Sequence, residues 1–204
     1  MSYLLFKSTF NTYPIFSLKD IEKAFPDFNK MNLYNWQKKG YIHKLRNQHY
    51  CFSDKQYDEE QQYIIANRIY KPSYVSLETA LFYYGLIPEA VFTITSISTL
   101  KTQSFKTHIG NFTYNTLGSS RFFGYRLVQN EQFAFKIAEP EKALLDFLYL
   151  KSYIATMEDI LGLRLNKTTL TYNFDFQKFY DYATLFNSKV LLHRVNLIRE
   201  FIYA

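Results

Sequence analysis

Between Val91 and Ala138 the chain breaks into five short runs, VFTITSIST, SFKTHIG, FTYNTL, FFGYRLV and FAFKIA, parted by Gly, Ser and Asn. Their β-branched and aromatic side chains lose rotamer freedom in a helix but pack well on a pleated surface. Runs this short, with turn residues between them, predict an antiparallel sheet of four or five strands over about 91–138. On both sides of this segment apolar residues recur at three- and four-residue spacing, the signature of helices. Strands are thus grouped together instead of alternating with helices, which makes the fold class α+β.

The first 55 residues carry their own punctuation. SYLLFKSTF has helical spacing. FSLKDIEKAF follows with Ser17 as N-cap and Asp20 at the third helical position, while Leu18, Ile21 and Phe25 share a face and Pro26 ends the helix. DFNKMNLYNWQKKG supplies a third helix, begun by Asp27 or Asn29 and closed by Gly40. Two alternating runs, YIHKL and HYCF, then flank a tight Arg46-Asn47-Gln48 turn. Three helices and a hairpin in this order predict a winged helix-turn-helix over 1–56, and the polar stretch SDKQYDEEQQ marks the boundary to a larger α+β domain over 57–204.

In that second domain a helix is expected from about Glu59 to Tyr70, stopped ahead of Pro72. SLETALFYYGLIP reads as a helix capped by Ser76, favoured at its positive end by Glu78 and halted by Gly85 and Pro88. EPEKALLDFLYL begins another, with Pro140 at the first helical position beside Glu139 and Glu141. The remainder to residue 204 is mostly helical.

Charge is distributed unevenly. Of a net +6, residues 1–55 hold nine Lys and Arg against four Asp and Glu, or +5, and the rest hold fifteen against fourteen, or +1. A local basic field concentrates polyanions. At about 100° per residue the third helix turns Leu33 and Trp36, with Asn29 and Asn32, to one side, and Lys30, Met31, Tyr34 and Lys38 to the other, with Asn35 and Gln37 on the flanks. Asparagine can read adenine, lysine guanine or phosphate, and tyrosine phosphate or a thymine methyl. The candidate DNA contacts are therefore Lys30, Tyr34, Asn35, Lys38, Lys39, Lys44 and Arg46, with Arg46 at the wing tip and weak contacts from His43 and His49. The plainer alternative is a solvated face on a winged helix used for protein contacts. A module this small binds weakly alone, so promoter binding calls for two copies on an inverted repeat, as a dimer or as paired monomers.

Catalytic and metal patterns are sparse. The single cysteine, Cys51, forms no intramolecular disulfide and fits a reducing compartment. His49-x-Cys51 is half a metal site without a second pair, and six glycines leave no phosphate-binding loop. Glu139, Glu141, Lys142 and Asp146 faintly suggest a metal-dependent nuclease. They are better explained as a helix start and, for Lys142 and Asp146, an i,i+4 surface pair. No catalytic residue, cofactor or metal is expected. The 19 Tyr and 20 Phe are expected mainly to fill the core. No apolar run is long enough to span a membrane or to form a secretory signal, so the expected location is the cytoplasm.

KPSYVSLETALFYYGLIPE (71–89) and KIAEPEKALLDFLYL (136–150) closely resemble signature segments of the AbiEi-type antitoxin family, and LYNWQKKGYIHKLRNQHYCF resembles its winged-helix segment. The resemblance covers roughly residues 1–150, and it departs where the family's wing ends in Arg-Gly-x-Tyr and this chain has NQHY. It implies the antitoxin half of a type IV toxin–antitoxin pair that represses its own promoter and counters a nucleotidyltransferase toxin, by contact or by an indirect route. Two alternatives stand beside it: a protein-interaction module with a vestigial winged helix, and a metal-dependent nuclease or nucleotidyl-transferring enzyme on the Val91–Asp146 sheet.

Overall fold

A computed structural model describes residues 1–203. The N-terminal unit runs α1 (Tyr3–Phe10), β1 (Phe16–Ser17), α2 (Leu18–Ala24), α3 (Met31–Lys38), β2 (Ile42–Arg46) and β3 (His49–Phe52). Its three strands form an antiparallel sheet in the order β1-β3-β2. The local signals act as expected. Ser17 and Asp20 form a reciprocal capping box, with the Asp20 carboxylate accepting the Ser17 N–H at 2.7 Å and the Ser17 hydroxyl accepting the Asp20 N–H at 3.2 Å. Asn29 Oδ1 accepts the Met31 N–H at 2.9 Å, and Gly40 (φ +71°) releases the chain from α3. Asn47 (φ 45°) and Gln48 (φ 64°) make a two-residue turn with both residues left-handed, the twist a tight hairpin prefers.

This unit has a core of its own, built around Phe6. Its ring lies 4.5 Å from Trp36, 5.1 Å from Phe10 and 5.3 Å from Phe16, and Ile21, Leu33, Ile42 and Phe52 close the cluster. Each such side chain contributes about 1.5–3 kcal/mol by leaving water, so three short helices that would not persist alone are held together.

The second unit begins with α4 (Glu59–Ile69), β4 (Ser73–Val75) and α5 (Leu77–Tyr83), followed by β5 (Thr93–Ser98), β6 (Gln103–Thr107), β7 (Gly110–Thr116), β8 (Tyr125–Asn130) and β9 (Phe133–Ala138). Helices α6 (Pro140–Leu150), α7 (Met157–Gly162), α8 (Lys167–Tyr172), α9 (Phe176–Leu185) and α10 (Lys189–Tyr203) complete it. The chain is α+β, but its larger sheet corrects the antiparallel expectation. Six strands lie in the order β6-β7-β5-β4-β9-β8, and the β5–β7 and β4–β9 pairs are parallel. The strand absent from the sequence reading is β4. Only three residues long and buried throughout, it shows no alternation, yet it sits near the centre of the sheet.

Helix α4 packs on β4, β5 and β9, and α6 packs against α5, α9 and α10. Tyr63, Tyr74, Tyr114, Phe112, Phe135, Phe179 and Phe186 are fully buried, as expected of the aromatic excess. Enclosed phenols keep partners: buried Tyr114 donates to the Ala66 carbonyl at 2.7 Å and half-buried Tyr84 to that of Ala138 at 2.9 Å. Ser76 departs from its expected role. It stands at the N-cap of α5 but makes no cap bond: the Thr79 N–H donates to the Thr95 hydroxyl at 3.2 Å, and the Ser76 hydroxyl is turned to donate to Asp146 at 2.9 Å.

The two units touch along a polar and aromatic junction. Tyr13 meets the Phe133 ring edge-on at 5.0 Å, Arg68 donates to the Ile15 carbonyl at 3.1 Å, and Ile15 itself joins the larger core. The β2–β3 hairpin lies against the larger sheet, with the His43 ring stacked on His108 at 4.0 Å.

Candidate nucleic-acid interface

Helix α3 turns its apolar stripe inward as its periodicity predicts, but of the expected inward set Asn29 precedes the helix and is exposed and Asn32 is only half-buried. Leu33 and Trp36 are buried in the N-terminal core, whereas Met31 and Tyr34 are 60% and 61% exposed and Asn35, Lys38 and Lys39 are also open to solvent. Lys30, at the start of the helix, is exposed and pairs with Glu22 at 2.9 Å, a surface pair of little energetic weight. Gln37 donates to the Leu33 carbonyl of its own helix at 3.0 Å, which removes it from the outward set. Lys44 is exposed on β2. Lys30, Tyr34, Asn35, Lys38 and Lys39 therefore share α3 and its two ends, with Lys44 on the adjoining strand.

Arg46 lies elsewhere. Its guanidinium sits over the Phe105 ring at 4.0 Å and the Tyr70 ring at 4.7 Å, both in the second unit, and its Nη1 is buried without a hydrogen-bond partner. A register shift between Lys44 and Arg46 accounts for the direction, since a bulge turns the following side chain away from strict alternation. Leu45 packs against the larger core beside it. Arg46 thus fastens the hairpin to the larger sheet and is not displayed at a free tip.

The hairpin histidines are also occupied. His49 Nδ1 lies 3.1 Å from the Asn47 carbonyl and 3.2 Å from that of Arg46, so it carries the proton and donates. Burial pulls the His49 pKa below the ordinary value despite those bonds. Burial, then the neighbouring His108, lowers the pKa of His43. Cys51 is fully enclosed, and burial pushes its thiol up to about 11, which leaves it unreactive near neutrality.

Lys142 and Asp146 require a correction. They are not a surface pair: both side chains are 0% exposed. The Lys142 ammonium pairs with Asp146 Oδ1 and donates to the Tyr74 hydroxyl at 2.8 Å. Tyr74 and Ser76 each donate to Asp146 Oδ2 at 2.9 Å. The rings of Tyr74, Phe123 and Phe186 surround the ammonium. Burial lowers the Lys142 pKa and raises that of Asp146, and their mutual attraction opposes both shifts. Gly124 lets this network close, since a Cβ there would stand 3.0 Å from both Lys142 and Tyr182. Beside it, Glu141 Oε1 caps the next segment by accepting the Asp175 N–H at 2.9 Å, and Lys178 bridges Glu139 and Glu141 at 3.0 and 3.4 Å.

Among the described residues no three His, Cys, Asp or Glu side chains converge as metal ligands, and no helix is long and apolar enough to cross a membrane. No protein-family model and no curated protein matches the chain.

Proposed function

We propose that the chain is a cytoplasmic, non-enzymatic DNA-binding autorepressor that also serves as the antitoxin of a type IV pair countering a nucleotidyltransferase toxin. The observation that carries the DNA-binding reading is the α3 face. Polar and basic side chains stand outward over a buried Leu33–Trp36 stripe, and the order α1-β1-α2-α3-β2-β3 supports reading the unit as a winged helix-turn-helix. The +5 charge of residues 1–55 supports it. The antitoxin role rests on the resemblance of residues 71–89 and 136–150 to the AbiEi-type family.

On this reading Lys30, Lys38, Lys39 and Lys44 contact phosphates, Tyr34 adds a phosphate or methyl contact, and Asn35 reads a base. A single module buries about 600–1,000 Å², so a stable repressor places two copies on an inverted repeat. A gel shift against the DNA upstream of its own gene, titrated with salt, tests this. Lys38→Ala weakens binding to every sequence and shallows the log–log salt slope by about one, whereas Asn35→Ala relaxes base preference. Unchanged duplex affinity in Lys38→Ala, Tyr34→Ala and Asn35→Ala refutes the interface. Growth rescue from the neighbouring toxin in a co-expression assay tests the antitoxin half.

The docked hairpin favours one other reading, a protein-interaction module. With Arg46 held by Phe105 and Tyr70, the hairpin already serves as a protein contact. The same gel shift separates the two, because this module would give no salt-dependent retardation.

A further inference from the structure

A cavity of about 460 Å³ opens between α4 and the β8–β9 edge of the large sheet, and no residue of α3 lines it. Its volume falls in the range of small-molecule sites. Arg68, Lys71 and Lys136 line it, and no carboxylate does. Among the described residues neither lysine is ion-paired; Arg68 has only a long contact to Asp20, at 3.5 Å. Arg68 is further positioned by its 3.1 Å bond to the Ile15 carbonyl. The Lys136 ammonium lies 5.1 Å from the Tyr125 ring centroid, a contact that leaves its charge uncompensated.

Two uncharged groups in the wall lack partners. Ser73, only 4% exposed, has a hydroxyl without a hydrogen bond. Asn67 accepts the Lys136 N–H through Oδ1, but its Nδ2 is buried and unbonded. A buried polar atom left unmade costs about 1–3 kcal/mol, so two in one basic cavity call for a complement. All five side chains can donate, and three are cationic. That set matches a dianionic phosphoryl group, whose terminal oxygens accept several charge-assisted hydrogen bonds. Of the rest of the wall only Gln132 is polar, its amide donating to the Thr12 hydroxyl at 2.6 Å; Ile64, Leu127 and Phe133 supply an apolar side, and the cavity is larger than a bare phosphate requires.

We propose that this cavity binds a small organic phosphate of mononucleotide size, its phosphoryl group held by Arg68, Lys71, Lys136 and Ser73 and its ring against Leu127 and Phe133. The site is independent of the DNA-binding reading. Calorimetric titration of the full chain with AMP, GMP, CMP and UMP, beside inorganic phosphate and adenosine, tests it. At least one mononucleotide binds saturably and more tightly than inorganic phosphate, and adenosine does not bind. Lys71→Ala and Lys136→Ala each weaken that binding about tenfold without changing the circular dichroism spectrum. Ser73→Ala does so more mildly, and Lys38→Ala leaves it unchanged.

Any of the following results overturns the proposal. One is the absence of saturable binding by any mononucleotide up to about 10 mM. The second is adenosine binding as tightly as AMP, or affinity untouched by all three cavity variants. The third is competition by a short duplex whose own affinity falls equally in Lys71→Ala and Lys136→Ala, which would assign the cavity to a nucleic-acid surface.

Discussion

Replacing Asp146 with Asn tests the buried Lys142–Asp146 pair. The substitution keeps an oxygen for the Tyr74 and Ser76 hydroxyls but removes the negative charge from a site where both partners are 0% exposed. Breaking a buried pair on one side costs about 3–5 kcal/mol. The structure also sets a ceiling, because Lys142 can shed its proton. Deprotonating a lysine of ordinary pKa 10.5 at about pH 7.5 costs about 4 kcal/mol, at 1.36 kcal/mol per pH unit, so the charge penalty cannot exceed that by much. The expected loss is about 3–4 kcal/mol, read from urea unfolding of the full chain.

The pH dependence supplies a second readout. Burial already lowers the Lys142 pKa against the pull of Asp146, and the variant removes that pull, so the folded state favours neutral Lys142 still more while the unfolded chain binds its proton. The folded pKa is depressed, so stability is greatest above 10.5 and falls as pH drops toward the folded pKa. Stability should therefore climb by up to about 1.4 kcal/mol per unit as pH rises toward 10.5, over a wider pH range than in the parent, where the ion pair confines that slope to higher pH. Adding Lys142→Met to the variant should recover most of the loss and abolish the slope. A loss below about 1 kcal/mol with no added slope would refute the reasoning, since it would mean that Lys142 reaches water.

Two further outcomes concern the junction. The lowered His43 pKa means that folding favours neutral His43, so its contribution is complete above the ordinary value of 6.5 and is lost as pH falls through the folded pKa; His108→Gln should flatten the fall in the urea midpoint below about pH 6.5, and an unchanged pH profile would dismiss the stacked pair as its source. Arg46→Ala should leave the affinity and salt slope for duplex DNA unaltered while costing about 1–2 kcal/mol in stability, the worth of a largely desolvated cation over two rings. A gel shift showing a reduced salt slope in that variant would return Arg46 to the phosphate backbone.

Local signals in the sequence carried a good part of this structure. Ser17-x-x-Asp20 marked the start of α2, Pro140 that of α6, and the Leu33–Trp36 stripe showed which side of α3 faces inward, because each depends on residues within a turn or two. What escaped depended on distant chain. β4 is too short to show a period, and its parallel partner β9 lies some sixty residues on, so neither its presence nor the mixed sheet was legible. Lys142 and Asp146 have the spacing of any solvated helical pair; Tyr74, Phe123 and Phe186, which enclose them, arrive from three other places in the sequence. Arg46 reads as a wing-tip cation until a bulge and two rings from the second unit claim it. Ser73 and Lys136 of the basic cavity likewise look unremarkable one at a time.

The grip of Phe105 and Tyr70 on Arg46 turns the hairpin into a latch. Any partner that needs the hairpin free must first open the contact, and its apparent affinity is its intrinsic affinity multiplied by the fraction of molecules already open. A latch worth about 2 kcal/mol keeps that fraction near 3%, so such a partner is weakened about thirtyfold. A ligand that engages only the outward face of α3 escapes this discount. The two modes of approach are therefore ranked by the protein before any nucleic acid arrives.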